Sequence, residues 1–203
     1  RELLATLGED LVTQHEWTHL VRDASIITVA GQTSYQLPDD YDRMVDQTAW
    51  NRSSTWPMFG PVSQQTEQLL RVFSATALLA FPFRMAGSSL QMTVSPPEGS
   101  LLVLKYISHN WVQSVGSDGA DLDGPTQAGD LCLFDPLLLI MGLKMRWLEV
   151  KGFDTTVAYA AYRDRLDNAR TSDTGARVLS MEQKPLLGRF IDMYNSPPTG
   201  LGT

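Results

Sequence analysis

Apolar residues recur at helical spacing from the start of the chain. Leu3, Leu4, Leu7 and Leu11 stand three or four apart, and Leu20 and Val21 continue the same face. This pattern predicts a helix over 2–23 with one apolar stripe. Gly8 inside it weakens the prediction, because glycine disfavours helix interiors.

From residue 25 the period shortens. The runs 25–29, 35–38 and 44–50 read as strands, set apart by turn residues at 31–34 and 51–54. Pro57, Gly60 and Pro61 make 56–61 a loop rather than an element. Helical spacing returns over 63–73, with Ser63 placed as N-cap. Three more strand-like runs follow at 80–85, 89–94 and 101–107, and short strands joined by small turn clusters predict an antiparallel meander. The segment 114–130 is rich in Gly, Asp and Ser and reads as a flexible loop or one that a partner orders.

Asp135-Pro136 is an N-cap followed by proline at the first helical position, and Gly152 suits the C-cap of a helix over 136–150. A second helix begins behind Asp154 and carries Ala158, Tyr159, Tyr162, Leu166 and Ala169 on one side. The short link 151–153 implies an antiparallel helical hairpin. Beyond 173 only isolated apolar residues remain: Val178, Leu179, Leu186, Leu187, Phe190, Ile191 and Tyr194. Such anchors suit an arm that docks on a partner.

The expected fold class is therefore α+β. Residues 1–24 and 128–175 form a helical body, with the N-terminal helix packed on the hairpin. Residues 25–115 form an inserted antiparallel β-rich part, 116–127 a loop, and 176–203 an extended C-terminal arm.

Composition narrows the function classes. Of 203 residues, 43% are apolar and 19% charged, which is ordinary for a globular chain and too apolar for a disordered one. The net charge of -7 argues against gripping nucleic acid through its phosphates, which needs clustered Lys and Arg. The single cysteine, Cys132, excludes an internal disulfide and reads as a small buried hydrophobe. The apolar run 131–143 is too short to span a bilayer. The chain opens on Arg1 without a signal-type segment, so the expectation is a soluble protein made in the cytoplasm whose native start lies upstream.

One local motif suggests chemistry. His15-Glu16-Trp17-Thr18-His19 is literally H-E-x-x-H, and the predicted helix would set both imidazoles one turn apart to hold zinc, with Glu16 activating water. A zinc hydrolase needs a third protein ligand, and the one remaining histidine, His109, is distant in sequence. Two surface histidines on an amphipathic helix are the plainer explanation. The aromatic residues Trp50, Trp56, Phe59, Trp111 and Trp147 lack the Lys/Arg tracks of a base-stacking groove. Trp147 is expected in the core, with Trp50 and Trp56 cementing their Pro/Gly loop.

A longer pattern resembles a known family. It comprises Gly31-Gln32-Thr33-Ser34-Tyr35-Gln36-Leu37-Pro38-Asp39-Asp40, then Trp50, Arg52 and the 56–61 loop. Further on come Pro96-Pro97, Tyr106-Ile107-Ser108, and Gly142-Leu143-Lys144-Met145-Arg146-Trp147 ahead of Lys151-Gly152. In this order the pieces, spread over about 25–165, resemble the head-to-tail adaptor (tail tubular or tail accessory) proteins of short-tailed phages.

The resemblance implies a non-enzymatic virion protein without cofactors. It implies a ring, usually dodecameric, joining the portal protein to the tail nozzle or tube protein, with DNA passing through without specific binding. It assigns portal contact to Val178, Leu179, Leu186, Leu187, Phe190, Ile191 and Tyr194. Tail contact falls to Trp56, Pro57, Met58 and Phe59, and ring contacts to the helical body. The alternative is a zinc-dependent hydrolase using His15, Glu16 and His19. Elemental analysis separates the two: the adaptor reading expects no bound zinc, and one tightly held zinc per chain would overturn it.

Overall fold

A computed structural model describes residues 1–70 and 81–174. The described chain is mixed α and β, and its sheets are antiparallel. The first helix, α1, spans Glu2–Gln14 and a single 3-10 turn covers Thr18–Leu20. The strands β1 (Val21–Ile27), β2 (Ser34–Gln36), β3 (Tyr41–Met44), β4 (Trp50–Asn51) and β5 (Trp56–Pro57) follow. Then come α2 (Gln64–Leu70), β6 (Phe83–Ala86), β7 (Ser89–Met92), β8 (Leu101–Ser108), β9 (Val112–Gln113) and β10 (Leu131–Cys132). The helices α3 (Pro136–Val150) and α4 (Thr156–Thr174) complete the order.

The helix expected over 2–23 stops nine residues early for a tertiary reason. The last carbonyls of a helix need donors from elsewhere. Here the Trp17 indole N–H donates to Leu11 O at 2.6 Å, and the Arg43 guanidinium donates to Val12 O and His15 O at 2.9 Å each. His15 is already extended, at φ -151°. Leu20 and Val21 therefore open the 3-10 turn and β1 instead of continuing α1.

The expected meander is also corrected. β8 is the most apolar strand and lies at the centre of the larger sheet, where β1 pairs with one edge and β3 and β4 share the other. Its neighbour in sequence, β7, belongs to a separate three-stranded sheet ordered β2-β7-β6. Both of its edges are paired, and its burial alternates over 101–105 before becoming complete over 106–108. The run expected as one strand over 44–50 divides into β3 and β4, with Gln47 between them at φ 61°.

Two cores result. One joins Leu7, Leu11 and Val12 of α1 to Leu138 and Leu139 of α3 and Tyr162 and Leu166 of α4, with Trp17, Ile107, Trp111 and Phe134. The other lies in the β-rich part and gathers Tyr35, Phe83, Leu90, Leu102, Leu104 and Tyr106. β8 contributes to both.

The hairpin follows its signals. The Asp135 carboxylate accepts from Leu137 N at 3.2 Å, Gly152 turns the chain at φ 72°, and Asp154 caps α4 by accepting from Thr156 N at 2.9 Å. Asp135 also accepts a salt bridge from Arg165 of α4, so one carboxylate ties both helices. Burial pushes this carboxyl up, but the Arg165 guanidinium and the helix N–H groups outweigh it and hold it below its ordinary range.

The 114–130 segment is laced by hydrogen bonds of its own. Asp121 accepts from Ser114 N and Oγ, and Asp130 accepts from Thr126 N and Gln127 N. Ala120 is buried, and Leu122 bridges back to Val112.

Close approach fixes where α1 lies. A Cβ at Gly8 would lie only 2.0 Å from Trp111 Cζ2, and one at Gly142 would meet Leu7 Cδ2 at 2.7 Å. Gly8→Ala gains about 1 kcal/mol of helix propensity but forces a fully buried indole to move. We expect a net loss of about 1–3 kcal/mol, measured as a lower urea midpoint at unchanged slope.

Candidate interaction surfaces

The chemistry of the H-E-x-x-H motif requires a helix over 15–19, and α1 ends at Gln14. His15 follows the end of α1 and His19 lies in the 3-10 turn, with Trp17 between them. The rings of His15 and Trp17 meet edge-on at 4.9 Å, and His19 meets Phe134 edge-on at 5.3 Å. Each imidazole is thus packed against aromatic carbon.

The role the segment does play is structural. Asp173, in the last turn of α4, accepts from Thr18 N at 2.9 Å and from Thr18 Oγ1 at 2.6 Å, and His15 Nε2 lies 3.5 Å from the same carboxylate. The end of α4 is thereby fastened to the chain leaving α1. A groove of about 340 Å³ beside this clasp has Trp17 and Phe134 on its floor and His19 and Arg165 on its rim. His109 stands apart at the end of β8, where its backbone N–H donates to Asp40 O. Among the described residues, no group of three or more His, Cys, Asp or Glu side chains is placed to hold a metal.

The 56–61 loop forms the second surface. β5 pairs with β4 so that Trp50 faces Pro57 and Asn51 faces Trp56. The turn between them is held from inside: Asn51, 1% exposed, accepts from Ser53 N at 3.0 Å and Ser54 N at 3.1 Å. The loop expected without an element thus begins as a short strand. It continues along β6, with Phe59 N donating to Phe81 O and Phe83 N to Phe59 O. The Gly60-Pro61 peptide is cis, and a Cβ at Gly60 would strike Phe83.

An apolar groove of about 540 Å³ opens here, lined by Trp50, Pro57, Met58, Phe59, Pro61 and Val62. Of the four residues singled out from sequence, Phe59 is exposed and Trp56 and Pro57 are half-buried. Met58 is buried in the β core, and its N–H donates to Ala49 O. Trp50 supplies the exposed indole, with the Arg52 guanidinium 5.9 Å from its ring.

The third surface escaped the sequence reading. Trp147 was expected in the core but is 49% exposed, and Leu137, Ile140 and Val150 are exposed with it. Leu137, Ile140, Lys144, Trp147 and Lys151 form one outward stripe along α3 at alternating steps of three and four. The hairpin tip adds Phe153, Val157 and Tyr159, and the rings of Trp147 and Phe153 stand 6.2 Å apart. A signal was present in the sequence. α3 is apolar nearly all round, and α1 with α4 can cover only part of such a helix.

The outer face of α4 differs: Val157, Ala161, Asp164, Asn168 and Thr171 are exposed at the same spacing, and beyond Val157 they are small or polar. The residues assigned to portal contact, Val178 to Tyr194, lie outside the described residues. Among the described residues, no helix is long and apolar enough to cross a membrane.

Compared with known proteins, the chain matches no family model and no curated protein.

Burial pulls the His19 imidazole below its ordinary value of 6.5, partly offset by the Asp173 carboxylate. The unfolded chain therefore takes up the proton first as pH falls through 6.5, and the folded state loses stability there. His19→Gln is expected to flatten that loss. The check is the urea midpoint of both proteins between about pH 5 and pH 8, above the range where carboxylates titrate.

Proposed function

We propose that this chain is a structural subunit of a tailed-phage virion. It assembles into a ring that joins the portal to the tail nozzle and lines the DNA conduit. No chemistry is assigned to it. The helical elements make the body of each subunit, the β-rich part is an insertion facing the tail, and residues 176–203 are an arm that reaches the portal.

The observation that carries this reading is the exposed apolar stripe of α3 and the hairpin tip. Large contiguous apolar surfaces on soluble chains mark contacts with other proteins. The second exposed apolar surface, around Trp50 and Phe59, supports a subunit that meets more than one neighbour. The net charge of -7 fits a conduit, since like charge keeps a passing duplex from adhering. The motif order between about 25 and 165 adds the resemblance to the adaptor family.

Electron microscopy of the purified chain, alone and mixed with its cognate portal, tests the reading. Rings or density capping the portal are expected, and a monomer that ignores the portal would refute it. Deleting 176–203 should abolish portal docking while far-ultraviolet circular dichroism stays that of a folded chain. Docking at full affinity by the truncated chain would remove the arm from the scheme.

A further inference from the structure

The stripe on α3 and the stripe on α4 are complements of each other. Along α3 the outward positions are Leu137, Ile140, Lys144, Trp147 and Lys151, and the described structure leaves all five exposed. Along α4 they are Val157, Ala161, Asp164, Asn168 and Thr171, also all exposed. Laid antiparallel, the alternating steps of three and four coincide from end to end. Trp147 then falls on Ala161, the largest side chain on one of the smallest. Lys144 falls on Asp164, and Lys151 lays its methylenes along Val157. Ile140 and Leu137 meet the short polar side chains of Asn168 and Thr171.

Within one chain these stripes cannot meet, because α3 and α4 already bury their other faces against each other through Leu138, Leu139, Tyr162 and Leu166.

We infer that the outer face of α3 on one copy of this chain seats antiparallel on the outer face of α4 on a second copy. This rests on the ring reading and specifies its contact. Two different patches meet, so the contact is head-to-tail and leaves a free α3 stripe at one end and a free α4 stripe at the other. Such a contact propagates and closes into a ring if the rotation per copy divides a full turn. The antiparallel sense is the one produced when copies are related by rotation about an axis parallel to the hairpin. α3 then runs one way and α4 the other in every copy.

The test uses the full chain, alone and with the cognate portal. Trp147→Cys and Ala161→Cys are combined with Cys132→Ser and oxidised. Covalent multimers well beyond the dimer are expected on a non-reducing gel. Either cysteine alone should give no ladder. A closed dimer from Trp147→Cys alone would mean that α3 meets α3, and would overturn the inference.

Charge reversal on the otherwise native chain gives an independent measure, should the cysteine variant fold poorly. Lys144→Glu and Asp164→Lys should each weaken self-association about tenfold in sedimentation velocity, and the double reversal should restore it. Unchanged association in both single variants would also overturn the inference. Rings without the ladder and without the charge effect would leave the adaptor reading standing and remove this contact. A ladder with charge rescue but no portal docking would keep the contact and remove the adaptor reading. A chain with neither rings nor a ladder refutes both.

Discussion

The contact on which most of the structure depends is that between Trp111 and the backbone of α1 at Gly8. Trp111 is fully buried, and its ring lies where any side chain at position 8 would be. From that seat it organises three segments. Its backbone N–H donates to Leu122 O, its backbone carbonyl accepts from Leu133 N, and its ring sits 5.7 Å from that of Phe134. The loop after β9, the approach to α3 and the first helix thus meet at one residue, two of them through its backbone. Close packing of this kind tolerates little change in volume, which is why a glycine inside an amphipathic helix is a necessity here rather than a weakness.

This junction also explains how a chain with two cores holds together. β8 feeds Leu102, Leu104 and Tyr106 into the β core and Ile107 into the helical one. Around its end, Tyr106 donates to Asp40 Oδ1 at 2.8 Å, and Asp40 pairs with Arg22 of β1 at 3.1 Å. Burial first, and then the hydrogen bond to this carboxylate, push the Tyr106 hydroxyl up to about 12, so it remains a donor at any physiological pH. The outer surfaces of α3 and of the Trp50–Phe59 groove are therefore displayed on a well-braced frame. That is the property a docking surface needs if ordering it is not to consume its binding energy.

Much of the fold was legible in the residues, and the illegible parts share a cause. α3 begins and ends where Asp135, Pro136 and Gly152 place it, because caps and turn residues act within a few positions. α1 ends at Gln14 because Trp17 and Arg43 take its carbonyls, and Arg43 is 29 residues further along the chain. No local pattern reports a donor that arrives from another element. For the same reason, the spacing of α3 showed that Trp147 was apolar but not that α1 and α4 would leave it outside. Met58 is the reverse case: in a loop rich in Pro and Gly it read as available, yet the backbone of β5 turns it inward. The H-E-x-x-H motif lost its geometry when the helix beneath it ended.

Arg43 has a mechanical consequence as well. It belongs to β3, so the end of α1 is gripped by the sheet through one guanidinium nitrogen, Nη2, that donates to two carbonyls, Val12 and His15. At the opposite end of the same short segment, Thr18 is held by Asp173 of α4. Residues 15–18 are thereby pinned to the sheet at one end and to α4 at the other, so the sheet and the last helix are joined through one four-residue segment.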